Sequence, residues 1–569
     1  MKVDRVSIRN YKSIQTLDLD LSPRINVFIG ANNVGKSNIL SAMEWLMGPT
    51  YPTANRLERW DFFNGNEDLP LTVSLEFDDN NVLSFDSTWY DYSGRERHGL
   101  NYNNGYINDN TRAKYIAASV GADRRIVDNP ASNQWSLLGR MLKEFNAQLD
   151  EETIVRSDGS AVTKADEFKH RMKLIRDELL FSITNGDGTN LMQELKRILQ
   201  EETARQLNCS PSDLSIDLNV YDPWNLYRTL QIFVTEQSSG VQMRASEMGM
   251  GVQASLTIAI LRAYSQLKLK NHTPIFIDEP ELYLHPQARR KFYKVIEELA
   301  DSGTQVFLTT HSTEFVDLGH FDQIFLVRKD KTRGTYVRTA DPVDFIYDLQ
   351  IRVGVPTDDE QLMLTYQNAF ENTGDSQRAA EAFFASKVIL VEGESESLIL
   401  PYCFDKIGYD YVGKGVSIVR CGGKNELDRF YRLYSEFGIP CFIIFDGDKQ
   451  NLGKDDEKHT IDANRAILNI FGCCDNFPDG IVHDRYLGFE TTLEDALDIG
   501  SVGSDTKGLK LFLRFKAACN AGEVAVPQWI ELLVQAVDAL PPEAASILVR
   551  RCTCERSSGD ESRHFRHKI

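Results

Sequence analysis

Ile25-Asn-Val-Phe-Ile-Gly-Ala-Asn-Asn-Val-Gly-Lys-Ser37 is the stretch on which the fold turns. The short apolar run Ile25–Ile29 reads as a buried strand, and Ile39, Leu40, Met43 and Leu46 beyond it follow helical spacing. Between them lies Gly30-x4-Gly35-Lys36-Ser37. Glycines at a strand-to-helix junction let backbone N–H groups wrap phosphates, while the lysine reaches the terminal ones and the serine hydroxyl holds Mg²⁺. Gly30, Asn32, Asn33, Gly35, Lys36, Ser37 and Asn38 are therefore the expected phosphate-binding residues.

Outward from this loop, Val6 and Ile8, then Leu17, Leu19 and Leu21 alternating with Asp, read as two edge-type antiparallel strands. Leu71–Phe77 and Asn81–Phe85 alternate in the same way. Further on, Pro274-Ile-Phe-Ile277 and Gln305-Val-Phe-Leu308 are buried strands separated by an amphipathic helix near Gln287–Leu299, which indicates a parallel α/β sheet. The first ends in Asp278-Glu279-Pro-Glu281, placing Asp278 for a metal and Glu279 to polarise water. The second ends in Thr309-Thr-His311-Ser312, placing an imidazole near a γ-phosphate. From Lys164 to Leu207 the spacing becomes heptad-like (Phe168, Met172, Ile175, Leu179; Leu191, Leu195, Ile198), with Asn185-Gly-Asp-Gly188 between, so an αα-hairpin is expected.

A second α/β pattern starts after a polar stretch. Val388-Ile-Leu-Val-Glu392-Gly-Glu-Ser-Glu396 puts two acids four apart across a strand-to-helix junction, and Asp446-Gly-Asp448 ends the strand Cys441–Phe445. In an extended Asp-Gly-Asp both carboxylates face one side. Gly422-Gly423 marks a third loop between them. Four acids at strand ends form a ligand set for hard divalent ions. The expected organisation is 1–350 for the first domain with a helical arm at about 160–235, 351–380 as linker, and 381–569 for the second domain with a basic tail.

The 569 residues are 42% hydrophobic and 26% charged, which suits a globular chain of several domains. A net charge of −20 excludes nucleic-acid binding by bulk positive charge alone. No apolar run long enough to cross a membrane is readable, so a cytoplasmic protein is expected. Nine scattered cysteines do not make a disulfide framework, and Cys552, Cys554, His564 and His567 fit no standard zinc spacing.

Ile8-Arg-Asn-Tyr-Lys-Ser13, the Gly30 loop, Ser246-Glu-Met-Gly249-Met-Gly251-Val-Gln253, Glu279-Pro-Glu-Leu-Tyr-Leu-His285-Pro286 and Thr309–Ser312 together resemble an ABC/SMC-type ATPase head. Glu392-Gly-Glu-Ser-Glu396 and Asp446-Gly-Asp448 resemble a Toprim domain. The combination resembles the OLD (overcoming lysogenisation defect) family of ATP-dependent endonucleases, including Gabija-nuclease-like relatives. That resemblance implies Gly249, Gly251 and Gln253 as a signature segment closing over a partner's nucleotide, hence a homodimer or higher oligomer. Met250 stands where a hydroxyl is usual, and a thioether cannot donate to a phosphate oxygen. The resemblance further implies Thr492 and Glu494 as metal-site residues and Lys507, with Lys510 close behind, as the lysine at the scissile phosphate. It implies ATP with one Mg²⁺, two Mg²⁺ or Mn²⁺ ions at the carboxylates, DNA as substrate, and in some relatives a helicase or other defence-system partner. An SMC-like ATP-switched DNA-binding scaffold and a topoisomerase-like strand breaker are the alternatives.

Overall fold

A computed structural model describes residues 1–88, 99–121, 135–207 (without 181, 185 and 187), 221–235, 240–267, 273–341, 376–499 and 507–543, together with 133 and 210. Strands β1 (Val3–Tyr11), β2 (Ile14–Asp20), β3 (Ile25–Ile29), β4 (Thr72–Phe77), β5 (Val82–Asp86), β6 (Leu100–Tyr102), β7 (Gly105–Tyr106), β8 (Ala118–Val120), β9 (Ile275–Asp278), β10 (Val306–Thr310), β11 (Ile324–Asp330) and β12 (Gly334–Arg338) form one sheet among the described residues. Its order is β7-β6-β5-β4-β1-β2-β12-β11-β3-β10-β9-β8. The half containing β8, β9, β10, β3 and β11 is parallel, and the rest pairs antiparallel. β1 and β2 are thus interior strands, not the edges their alternation suggested. Alternating Asp residues line only one face, and the pairing of β1 with β4 and of β2 with β12 covers both margins.

All five residues of β3 and of β10 are buried, as a parallel sheet packed on both faces requires. Strand alternation sorts them. Phe28, Phe276, Phe307 and Phe325 pack with Ile39 and Met43 of helix α1 (Lys36–Met47) on one face. Val27, Ile29, Ile277 and Leu308 pack on the other with Phe292 and Ile296 of helix α2 (Pro286–Asp301), close to the expected Gln287–Leu299.

The second domain is a parallel sheet of β13 (Lys387–Val391), β14 (Val416–Arg420), β15 (Cys441–Asp446) and β16 (Tyr486–Phe489), in the order β14-β13-β15-β16. One of its faces shares a core with the first domain: Val388, Leu390, Ile443 and Phe445 join Phe383, Tyr434 and Phe437 in the cluster that also holds Phe315 and Leu318. The expected linker lies mostly outside the described residues. Its end, Ser376–Glu381, is a helix with Ala379 and Ala380 buried, and Tyr434 Oη donates to Ala379 O at 2.8 Å. The opposite face packs Leu400, Phe404, Leu511 and Ile530. Just past the helix Gln528–Ala539, Glu543 accepts from Tyr336 Oη and from Arg338 Nη2 (2.9 Å) on β12, tying this segment to the first sheet.

The expected helical arm contains helices Lys164–Ile175 and Leu191–Leu207. Its second seam, Leu191, Leu195 and Ile198, is exposed. Cys552, Cys554, His564, His567 and the basic tail lie outside the described residues.

Candidate active sites

The phosphate loop is built as its spacing requires. Gly35 has φ 106°, a conformation glycine adopts without strain, and a Cβ there would come within 2.2 Å of Thr335 Oγ1. Lys36, the first residue of α1, is 5% exposed. Its Nζ donates to Gly30 O (3.1 Å) and Ala31 O (3.0 Å) and lies 2.7 Å from His311 Nε2. Ser37 Oγ donates to Asp278 Oδ1 at 3.3 Å, bringing the two expected magnesium ligands together. Glu279, at φ 47°, stands 3.9 Å from His311 through Oε1 and Nε2. Burial, then the neighbouring Asp278, raises the Glu279 carboxyl above its ordinary range, as suits a group that must take a proton from water. Burial, then Lys36, lowers the His311 imidazole, keeping it neutral.

Neighbouring residues brace these groups. Buried Glu281 accepts from Thr310 Oγ1 (2.9 Å) and His311 N (2.6 Å), fixing the histidine's backbone. Thr309 Oγ1 donates to Asp278 Oδ1. Thr335 Oγ1 donates to Val34 O at 2.6 Å and meets Ser13 Oγ at 2.7 Å, and Asn38 Nδ2 donates to Ser13 Oγ at 2.7 Å. Thr335 comes from a strand some three hundred residues away, so only the folded sheet reveals it. The signature segment opens helix α3 (Met250–Gln266) with Gly249 as its N-cap. Gln253 turns inward, donating to Met248 O (2.8 Å) and Ser246 O (3.2 Å), and so clamps the segment's own backbone.

In the second sheet β13, β15 and β16 bring the acids to one end. Glu396 lies in the first turn of helix α4 (Glu394–Ile407), is 5% exposed, and accepts from Gly393 N at 3.1 Å. Burial pushes its carboxyl up to about 7. Burial, then Glu396 and Glu392, pushes Asp446 well above the carboxylate range, and Glu392 is raised by burial. Asp446 Oδ1 accepts from Leu493 N at 2.9 Å. Glu494 is 4% exposed, and Lys507 Nζ lies 2.6 Å from its Oε1. Lys510 is exposed on the helix Lys507–Ala521, which Lys507 opens. Thr492 caps the short helix Leu493–Ala496 by accepting from Asp495 N at 3.4 Å.

The expected extended Asp-Gly-Asp is not what forms. Asp448 has φ 55° and opens a 3₁₀ turn, because Gly447 N and Asp448 N bond to Phe489 O and Thr491 O of the adjacent segment. Its carboxylate nevertheless lines the same cleft as Glu392, a cavity of about 560 Å³ also bordered by Gly422, Gly423, Lys424 and His459. Lys424 Nζ holds Asp448 Oδ2 at 2.7 Å, a contact that no local pattern in the sequence announces.

Among the described residues no group of three His, Cys, Asp or Glu side chains is already arranged to hold a metal ion. The donor set nonetheless fits one. Five carboxylates crowd together, burial and mutual repulsion raise three of them, and hard oxygen donors match Mg²⁺ or Mn²⁺. Lysine ammonium groups draw two of the five, Asp448 and Glu494, toward themselves.

A strand-loop-helix phosphate site on a mixed sheet, joined to acids at the ends of a second parallel sheet, defines an ATPase head fused to a Toprim domain. The chain belongs to the family described as "AAA domain, putative AbiEii toxin, Type IV TA system", which matches residues 25–317. The description "Overcoming lysogenization defect protein-like, TOPRIM domain" matches residues 383–448. The chain is 24% identical to the "OLD nuclease" of Thermus scotoductus over 88% of this chain and 92% of that one. It is 24% identical to the "Old nuclease" of Escherichia phage P2 over 79% of this chain and 77% of that protein. With "Endonuclease GajA" of Bacillus cereus it shares 21% identity over 83% of this chain and 79% of the relative. No helix among the described residues is long and apolar enough to cross a membrane.

Proposed function

We propose that this protein is an ATP-regulated, divalent-metal-dependent DNA endonuclease or nickase acting in anti-phage defence or DNA processing. The observation that carries this reading is the gathering of Glu392, Glu396, Asp446, Asp448 and Glu494 at one end of a parallel sheet, with Lys424 and Lys507 at its margins. Glu392, Glu396, Asp446, Asp448, Thr492 and Glu494 would hold two Mg²⁺ or Mn²⁺ ions, which when bound stabilise the attacking and leaving oxygens of an in-line displacement. Lys507 is the cation for the scissile phosphate. In the ATPase head, Ser37 and Asp278 hold the Mg²⁺ of ATP, Lys36 takes its phosphates, and Glu279 orients the attacking water. Gly249 and Gly251, on a segment whose backbone Gln253 holds, complete a partner's nucleotide site in a homodimer or larger assembly, and the protein works in the cytoplasm, with or without a further defence-system protein.

The test is supercoiled plasmid with Mg²⁺ or Mn²⁺, with and without ATP. Conversion to nicked or linear DNA that disappears in Asp446→Ala supports the reading. DNA binding without cleavage under every metal and nucleotide condition replaces it with an ATP-switched scaffold.

A further inference from the structure

Lys424 is the first residue of a thirteen-residue helix, Lys424–Glu436. A cation there sits at the positive end of the helix dipole, where anions are favoured, so the position needs a compensating partner. That partner is Asp448, 2.7 Å away, and Glu392 lines the same cleft. The Lys424 side chain is only 9% exposed, unlike the solvated lysines whose ion pairs contribute little. The loop before it is shaped to deliver it. Gly422 and Gly423 have φ 88° and 148°, yet nothing lies within 4 Å of a Cβ built at either, so backbone conformation and not space demands glycine.

Asp448 is held from two sides, by Lys424 on Oδ2 and by Gln450 Nε2 on Oδ1 at 3.1 Å. An ammonium on this carboxylate oxygen stands where a hard cation would bind. Two cations cannot share it without repulsion in a partly buried cleft. Lysine is suited to give way, being a compact charge on a flexible stem. The cleft beside it has room for the displaced group.

We propose that Lys424 is a positioning residue of the carboxylate site: its ammonium holds the Asp448 carboxylate in the cleft that Glu392 also lines, and exchanges with the divalent ion that the site takes. The proposal rests on the metal-binding reading of these carboxylates. It accounts for a buried lysine on a carboxylate that the chemistry needs for a metal.

The test uses the full-length protein, with Mn²⁺ titrations followed by calorimetry and by thermal melting. Lys424→Met is expected to melt below wild type in chelator and to gain more on Mn²⁺ addition. Its Mn²⁺ affinity is expected to be about tenfold tighter, because no charge-assisted bond has to be broken. Lys424→Arg keeps the exchange and stays within about twofold of wild type. If Lys424→Met does not fold, Lys424→Gln carries the same comparison. A purely structural lysine lowers melting equally with and without Mn²⁺, and an unchanged Mn²⁺ shift overturns the proposal. Asp446→Ala separates the two readings. If it keeps the full shift, Mn²⁺ binds elsewhere and the carboxylate reading fails with the exchange; if it loses the shift while Lys424→Met matches wild type, only the exchange fails.

Discussion

The two sites use one local device in opposite surroundings. In each, a strand of a parallel pairing, fully buried in the first domain and half-buried at the sheet edge in the second, feeds a loop whose last glycine has positive φ (Gly35 at 106°, Gly423 at 148°), and the next residue is a mostly buried lysine that starts a helix. Lys36 looks onto the carbonyls of Gly30 and Ala31 and onto His311, whereas Lys424 looks onto the carboxylate of Asp448. Lys36 therefore lacks a direct anionic partner among the described residues, and burial pushes its pKa down to about 8. It is a cation prepared for an anion. The Toprim acids are the reverse, crowded anions prepared for a cation, with lysines on two of them. On the proposed function, similar backbone geometry serves nucleotide phosphate in one domain and metal ligation in the other, and the neighbours decide which.

The largest effect expected from breaking this contrast is at the acids. Asp446→Ala should lower DNA cleavage at least about a hundredfold while leaving ATP hydrolysis unchanged, measured by plasmid conversion and phosphate release on one preparation. Parallel loss of both activities would show that the two sites are not separable. At the nucleotide site, Lys36→Ala should weaken ATP binding about a hundredfold, whereas Glu279→Gln should retain ATP and hydrolyse it about a hundredfold more slowly. Equal hydrolysis in the two variants contradicts the division of labour between lysine and glutamate.

A smaller effect concerns pH. The Lys36 pKa is lower folded (about 8) than its ordinary 10.5, so between these values the folded chain holds fewer protons than the unfolded one. This group's cost to stability is complete below pH 8 and is relieved as pH rises through that window. Phosphates favour the charged form, so ATP binding at pH 8.5 should take up a proton, and affinity should fall as pH rises above about 8. Calorimetry in two buffers of different ionisation enthalpy reads the uptake, which Lys36→Met should abolish.

The smallest effect is expected where the domains touch. Glu543 bonds to Tyr336 and Arg338, and the neighbouring Thr335 bonds to the phosphate loop at Val34. Glu543→Ala should cost no more than about 1 kcal/mol by chemical denaturation, yet change how far ATP alters cleavage. An unaltered ATP response means that the two sites communicate by another route.

The phosphate loop, Asp278, Glu279, His311 and the four strand-end acids were legible in the chain because each is a short local pattern at the end of a hydrophobic run. The signal for Lys424 was present too, since Gly422-Gly423-Lys424 repeats the glycine–lysine order of Gly35-Lys36. Nothing local, however, names the carboxylate it meets. The true backbone of Asp448 was hidden for the same reason: bonds to Phe489 and Thr491, some forty residues on, turn it out of the extended form. β1 and β2 read as edges because alternation reports which face of a strand is wet, not which strands flank it.

The sequence by itself determined the two chemistries, since strand ends, glycine loops and acid spacing are properties of a few consecutive residues. Tertiary structure alone decided that Thr335 supports the phosphate loop, that Phe383 and Tyr434 weld the two domains into one core, and that Lys424 rests on Asp448. Each of those depends on residues distant in sequence meeting in space, and burial and charge then select the partners that remain in contact.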